Sequence, residues 1–310
     1  MKVSVCIAAT RPDTIGAALR SVVAQEYRDW EVVVVAQGPA GAAIAEVVER
    51  ELAGRPYTVV AQDGRGVSRA RNAAVAAAQG DAIAMLDDDC EADADWLEVL
   101  VDRFAAHPDA GLVGGALVAP PRSRRGPGNC PWCEPHEVVY RPRPGSEEPP
   151  GFTWLTSNVA FLRSTAEAVG PFDPLLGAGG RFPVAEDIDF RHRVAAKGIT
   201  MVTTPKAVVR HTGGWRYGVQ AVWRLQRAYN EGNGAYAAKL AMHGDPRGRK
   251  ALADVRRLTA LDWIERRRPR ALPAGLWRYA HFMHGYRSCL RGYRVGPDGL
   301  LQPRPRGAGR

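Results

Sequence analysis

Three consecutive carboxylates, Asp87, Asp88 and Asp89, end an apolar run, Ala82-Ile-Ala-Met-Leu86. Adjacent acids repel one another, and a divalent cation would relieve that repulsion. Hard oxygen ligands suit Mg2+ or Mn2+, and such an ion can in turn hold a diphosphate. The competing explanation is local, with the acids serving the N-terminal end of a helix that begins near Asp95-Trp96-Leu97. A second acidic group, Glu186-Asp187-Ile188-Asp189, stands where a helical pattern starts, so capping competes with chemistry there too. His211 lies just before Gly213-Gly214, a position from which an imidazole can act as a ligand. Cys130-Pro-Trp-Cys133 with His136 has spacing suited to a structural zinc, although no fourth ligand is evident. Two free thiols, or a disulfide or redox pair, are the alternatives.

Alternating strands and helices must position these groups. Apolar runs at 3–8, 31–36 and 57–61 read as strands, and the acid-tipped run is the fourth. Helical spacing at 14–24, 41–52 and 66–78 falls between them. About 115 residues of this alternation predict a parallel sheet covered by helices on both faces, with ligands bound at the carboxyl ends of the strands. Residues 119–151 are rich in Pro, Gly and charge and read as a long loop. A strand at 152–162, a helix at 164–169, a helix starting at Glu186, and strands at 199–202 and 207–211 follow. Three helical segments come next, at 221–241, 249–265 and 276–292. The expected organisation is one half at 1–117, a second half at 118–214, a helical extension at 215–300 and a disordered tail at 301–310.

With 310 residues and 45% hydrophobic content, the chain is large enough for one sizeable core plus an appendage. It has no run of roughly 18–20 uninterrupted apolar residues such as a membrane span requires. Met1-Lys-Val-Ser-Val-Cys-Ile7 enters a strand pattern directly, so a cytoplasmic protein is expected. Charge is unevenly placed. Residues 1–214 carry 22 Lys and Arg against 27 Asp and Glu, whereas 215–310 carry 20 against 6. A basic C-terminal third suits phosphates, nucleic acid or an anionic membrane surface, or else reflects solvated Arg-rich helix faces. Five cysteines, three of them isolated, fit a reducing compartment.

Several of these segments occur together in a recognisable order. Val3-Ser-Val-Cys-Ile7, Arg11-Pro12, Ser21-Val-Val-Ala-Gln25, Val33-Val-Val35, Ser68-Arg-Ala-Arg-Asn72, Gly80-Asp81 and Leu86-Asp-Asp-Asp89 resemble the nucleotide-binding half of family-2 glycosyltransferases. Ser157-Asn-Val-Ala-Phe161, Gly170-Pro-Phe-Asp173 and Glu186-Asp-Ile-Asp189 resemble the acceptor half of that family. The resemblance covers about residues 2–212. It implies an α/β glycosyltransferase-A fold: a mostly parallel, Rossmann-like sheet flanked by helices, here with a C-terminal helical extension. It also implies an inverting, metal-dependent transfer of a sugar from a nucleotide diphosphate donor to a hydroxyl.

In that reading Asp187 is the general base, Asp89 the Mn2+ or Mg2+ ligand, and Asp87 the partner of the ribose, with Asp88 sharing either role. His211 is a second ligand near the diphosphate. Ala9, Thr10, Arg11, Gln37 and Arg71 are assigned to the nucleotide. Glu186, Trp154 and Asn158 are assigned to the acceptor, with Trp132 and Trp215 as further stacking candidates against ordinary core packing. Asp189 orients the acceptor or the helix. The chain departs from the family at Ala36-Gln37, where an acid is usual, and at Ala8-Ala9, where Pro-Thr is usual and the turn is one residue short. Gln37 can still donate to and accept from a pyrimidine edge, so a UDP- or dTDP-sugar is expected.

Two other functions compete. A nucleotidyltransferase also uses metal-binding acids on an α/β sheet, but it opens with a Gly-rich loop that Ala8-Ala-Thr-Arg-Pro12 lacks. Nucleic-acid binding through the basic C-terminal third is disfavoured, because its arginines are spread over several helices rather than one stripe. The acceptor is expected to be a soluble metabolite or a lipid-linked glycan. Peripheral membrane contact or a homodimer would each give the basic helices a role.

Overall fold

A computed structural model of the chain describes residues 1–264 and 272–305. Its first elements follow the predicted alternation: β1 (Val3–Ala9), α1 (Pro12–Val23), β2 (Trp30–Gln37), α2 (Gly41–Glu51), β3 (Tyr57–Gln62), α3 (Val67–Ala77) and β4 (Ala82–Asp87). Helix α1 shows why the pattern was readable. Pro12 opens it, and Ile15, Ala18, Leu19 and Val22 recur at helical spacing and are buried. Removing one such side chain, as in Leu19→Ala, costs roughly 2–5 kcal/mol.

The chain then turns through β5 (Cys90–Ala92), α4 (Trp96–Ala106), β6 (Ala110–Val118), β7 (Gly128–Asn129), β8 (Val138–Tyr140), β9 (Asn158–Leu162) and α5 (Arg163–Val169). It continues through α6 (Glu186–Ala196), β10 (Thr200–His211) and β11 (Arg216–Tyr217). The last elements are α7 (Val219–Met242), α8 (Pro246–Ile264), α9 (Leu272–Gly292), β12 (Tyr293–Val295) and β13 (Leu301–Pro303).

These elements form two compact units, one of Met1–Phe172 with Phe190–Gly218 and the other of Asp173–Asp189 with the residues from Val219 onward. The first unit holds a sheet of order β3-β2-β1-β4-β9-β6-β10-β5, with β8 added on β10. Strands β1 to β4 run parallel, as does β6 with β10, while β9 lies antiparallel between β4 and β6. One face of the sheet packs on α1, α2 and α4 through residues such as Ile15, Leu19, Ile44 and Trp96. The other face packs on α3 and α5 and on the Phe172–Phe190 stack, whose rings are 4.4 Å apart. In the second unit Leu176, Phe182, Tyr236, Cys289 and Leu301 share a core.

Three sequence expectations change. Residues 199–202 and 207–211 belong to one strand, β10, whose register shifts between Thr203 and Val208. Pro205 has no amide proton for a ladder, and an irregularity of this kind is where a sheet tolerates proline. The strand expected at 152–162 forms only from Asn158, because the segment before it turns. Part of the expected tail is ordered, since 301–303 form β13 against β12, while residues 306–310 and residue 265 lie outside the described residues.

Candidate active site

Register brings the strand-end residues together. Ala8 of β1 pairs with Asp87 of β4, so the residues that leave the two strands, Thr10-Arg11 and Asp88-Asp89, lie side by side. Strand β5 then runs antiparallel to the end of β10 with Cys90 opposite His211, which sets His211 beside Asp89. The turn is fixed by the Asp89 carbonyl, which accepts from the Thr212 amide at 2.9 Å and from its hydroxyl at 3.1 Å.

The three acids have three environments. Asp87 is partly exposed and takes a hydrogen bond from Arg71 Nη2 at 3.1 Å. The Arg71 side chain is buried and its guanidinium lies over the Phe172 ring. Asp88 is buried and accepts from the Thr10 amide at 2.7 Å, the Arg11 amide at 3.1 Å and Arg11 Nε at 3.1 Å, with Arg11 Nη2 also bound. Asp89 is buried as well, with Oδ2 2.6 Å from Arg11 Nη1 and 3.6 Å from His211 Nε2. Burial costs the Arg11 guanidinium, but its contacts with Asp88 and Asp89 outweigh that cost and hold it charged.

Among the described residues, Asp89, Cys90 and His211 form the one group of three with ligand atoms within 4.8 Å of one another. Burial and the neighbouring acids push the Cys90 thiol well above its usual range, and its soft sulfur suits Mn2+ or Mg2+ poorly. Asp89 and His211 remain. A carboxylate oxygen and an imidazole suit Mn2+ or Mg2+, whose remaining positions water or phosphate can fill. His211 Nδ1 lies 3.9 Å from Cys130 Sγ, which leaves Nε2 facing Asp89. Gly214 makes this pocket possible, because a Cβ there would fall 1.9 Å from His211 Nδ1 and 2.4 Å from Cys130 Sγ.

Other assigned residues lie elsewhere. Gln37 is buried, and its Oε1 accepts from the Gly66 amide at 2.9 Å and from Gln62 at 3.2 Å, so it orders the loop before α3 rather than presenting an open edge to a base. Trp154 is 1% exposed and packs in the core against Gly114, which corrects its assignment to the acceptor. Asn158 is corrected likewise. Its Nδ2 donates to the carbonyls of Ala116 at 2.7 Å and Ala207 at 2.8 Å, and its Oδ1 accepts from Trp96 Nε1 at 2.8 Å. It fastens strands and helix α4 together. Trp215 donates to the Pro120 carbonyl under Arg122, whereas Trp132 is exposed.

Of the readings open for Cys130, Cys133 and His136, the fold does not bring the three together as a zinc site requires. Cys130 faces His211, Cys133 Sγ lies 3.7 Å from the Gly115 carbonyl, His136 is exposed, and none of the five cysteines is in a disulfide.

In the second unit, Glu186 and Asp187 open α6, and Asp187 Oδ1 accepts from the Ile188 amide at 2.8 Å. Ala185, just before them, holds φ at 79°, a left-handed conformation that strains a residue with a Cβ. Sequence reasoning missed what holds this turn. Lys239 is buried between Asp189, at 2.5 Å, and Asp173, at 2.8 Å. Only its position in a helix among small apolar residues hinted that it was buried. Asp189 is thereby a structural acid.

The sheet order, with an acid-tipped β4 beside an antiparallel β9, defines a glycosyltransferase-A fold. Residues 4–153 match the family model of glycosyl transferase family 2. A glucosyl-dolichyl phosphate glucuronosyltransferase of Haloferax volcanii is 29% identical over 204 residues. That match spans 58% of this chain and 58% of the relative's length. Among solved structures, the mannosyltransferase PcManGT from Pyrobaculum calidifontis, in complex with GDP-Man and Mn2+, has a TM-score of 0.58 at 19% identity. It covers 93% of this chain and 87% of its own. The 1–349 segment of TarS from S. aureus, in complex with UDP-GlcNAc, has a TM-score of 0.51 at 13% identity and covers 100% and 98%.

Proposed function

We propose that the protein transfers a sugar from a nucleotide diphosphate donor to a hydroxyl acceptor with inversion, in a single metal-dependent displacement. The observation that carries this reading is the meeting of Asp89 and His211 beside Asp87 at the strand ends of a family-2 domain. Complexes of the structural neighbours with GDP-Man, Mn2+ and UDP-GlcNAc support the donor class. With Gln37 taken up by Gly66 and Gln62, the pyrimidine expectation loses the residue it rested on, and the neighbours' complexes carry both GDP-Man and UDP-GlcNAc.

Bound by Asp89 and His211, Mn2+ or Mg2+ would offset the charge that develops on the departing diphosphate. Asp87, steadied by Arg71, accepts hydrogen bonds from the ribose. The main chain at Ala9 and Thr10 lines the nucleotide. Asp187 takes the proton of the acceptor hydroxyl as it attacks the anomeric carbon. Glu186 orients the acceptor.

The acceptor is read as lipid-linked and reached at an anionic membrane surface. Val219 and Trp223 are exposed one turn apart on α7, and Trp223 meets Trp277, next to the exposed Leu276 of α9, at 4.5 Å. Apolar rings among arginines suit such a surface, and no described helix is long and apolar enough to cross a membrane. The dolichyl phosphate in the relative's name points the same way.

A thermal-shift panel of UDP, dTDP, GDP, CDP and ADP, each with Mn2+ and with EDTA, tests the donor reading. A metal-dependent rise with one of them is expected. No rise with any of the five would reject it.

A further inference from the structure

One oxygen, Asp89 Oδ2, is the meeting point of two groups. Arg11 Nη1 lies 2.6 Å from it and His211 Nε2 3.6 Å from it. The side chains of Asp88 and Asp89 are 3% and 7% exposed, whereas that of Arg11 is 42% exposed. The acids are therefore buried, whereas their cation reaches them from the surface. Asp88 is held without the guanidinium, since the amides of Thr10 and Arg11 both donate to its Oδ2. The guanidinium reaches Asp88 through its Nε and Nη2 edge and Asp89 through Nη1.

A divalent cation held by Asp89 and His211 would take over the same carboxylate oxygen. Two positive charges would then compete for it at contact distance, where Coulomb repulsion is strong.

We propose that Arg11 is an exchangeable counter-ion. It neutralises Asp88 and Asp89 while no metal is bound, yields Asp89 to the cation, and then turns its freed donors to the donor diphosphate. The inference rests on the metal-dependent reading above and adds an order to it. Metal alone must displace a good partner and binds weakly. Diphosphate offers the displaced guanidinium a new partner, so metal and diphosphate each tighten the other, reciprocally. Arg11 thereby makes the binding of metal and donor a joint event.

The test is Mn2+ binding followed by the EPR signal of the free ion, with UDP and with GDP in turn, so that no turnover is read. In the unaltered protein Mn2+ binds weakly alone and about tenfold more tightly with whichever diphosphate is taken up. Arg11→Ala is expected to bind Mn2+ alone more tightly, by about the same factor, and to lose most of the enhancement by diphosphate. Arg11→Lys keeps the charge and should retain the enhancement in part. Circular dichroism melting is run on both variants, because backbone amides still hold Asp88 and the fold should survive. Equal Mn2+ affinity in the unaltered and Arg11→Ala proteins, or an undiminished enhancement, overturns the counter-ion role while leaving the metal site standing. Absence of Mn2+ binding in every folded protein, with and without diphosphate, removes the metal reading itself and the counter-ion role with it.

Discussion

Asp87, Asp88 and Asp89 are chemically identical, and their surroundings divide the work between them. Asp88 is consumed by the turn after β1, Asp87 is steadied by Arg71, and Asp89 alone faces His211. Asp89→Ala should therefore abolish the Mn2+ dependence of nucleotide binding in the thermal-shift panel; an unchanged dependence would place the ligand elsewhere. Gly214→Ala acts on the same pair from behind, because its Cβ would collide with His211 Nδ1. It should weaken Mn2+ binding severalfold and also lower the melting temperature, since overpacking a buried site costs about 1–3 kcal/mol. Asp187→Asn should lower turnover about 10²–10⁴-fold, the usual contribution of a general base, with nucleotide affinity retained. A matching loss of nucleotide affinity would assign Asp187 to binding instead. That Asp87, Asp88 and Asp89 stand at a strand end was legible in sequence, because an apolar run leads into them. Trp154 and Asn158 were misread because their burial depends on Gly114 and Gly115, more than 35 residues away, which clear space for them.

At the scale of elements, local patterns were dependable where one element's own residues set it and poor where pairing set it. Helix α6 starts at Glu186 as its acids predict. Strand β10 looked like two strands because Pro205 interrupts it, yet pairing with β6 resumes beyond the irregularity. The zinc spacing at Cys130 and Cys133 was a local signal that the fold splits, turning Cys130 to His211 and Cys133 to the Gly115 carbonyl. Lys239 is the converse, a decisive residue with no local signal. It is the cation between two buried acids, so Lys239→Met should destabilise the protein by about 3–5 kcal/mol, the cost of leaving buried charges uncompensated. Urea unfolding measures it, and a midpoint equal to that of the unaltered protein would show that the acids need no such partner. Replacing Asp173 and Asp189 by Asn in the same chain should recover part of the loss.

At the scale of the whole molecule, the excess of basic residues in the C-terminal third gives the surface argument its measurable form. The protein should co-sediment with vesicles containing phosphatidylglycerol and less with phosphatidylcholine alone. A Trp223→Ala, Leu276→Ser double variant should lose most of that binding; equal sedimentation with both lipids would reject an anionic surface. The cysteines make a second expectation. All five are buried, and burial pushes the Cys289 thiol up to about 12 and Cys6 further. A thiol reagent at pH 8 should label almost none of them before unfolding and all five after it.

The buried acid at Asp173 also bears on how the chain is made. Its carboxylate accepts from Lys239, 66 residues later, and from the Leu301 amide, 128 residues later. A growing chain folds what it has already received. Most of the sheet is complete by β9, but the Asp173 carboxylate gains its distant partners only once residues 239 and 301 have been made. Synthesis therefore finishes most of the sheet before the side chain and amide that hold Asp173, close to the turn carrying Asp187, have been made.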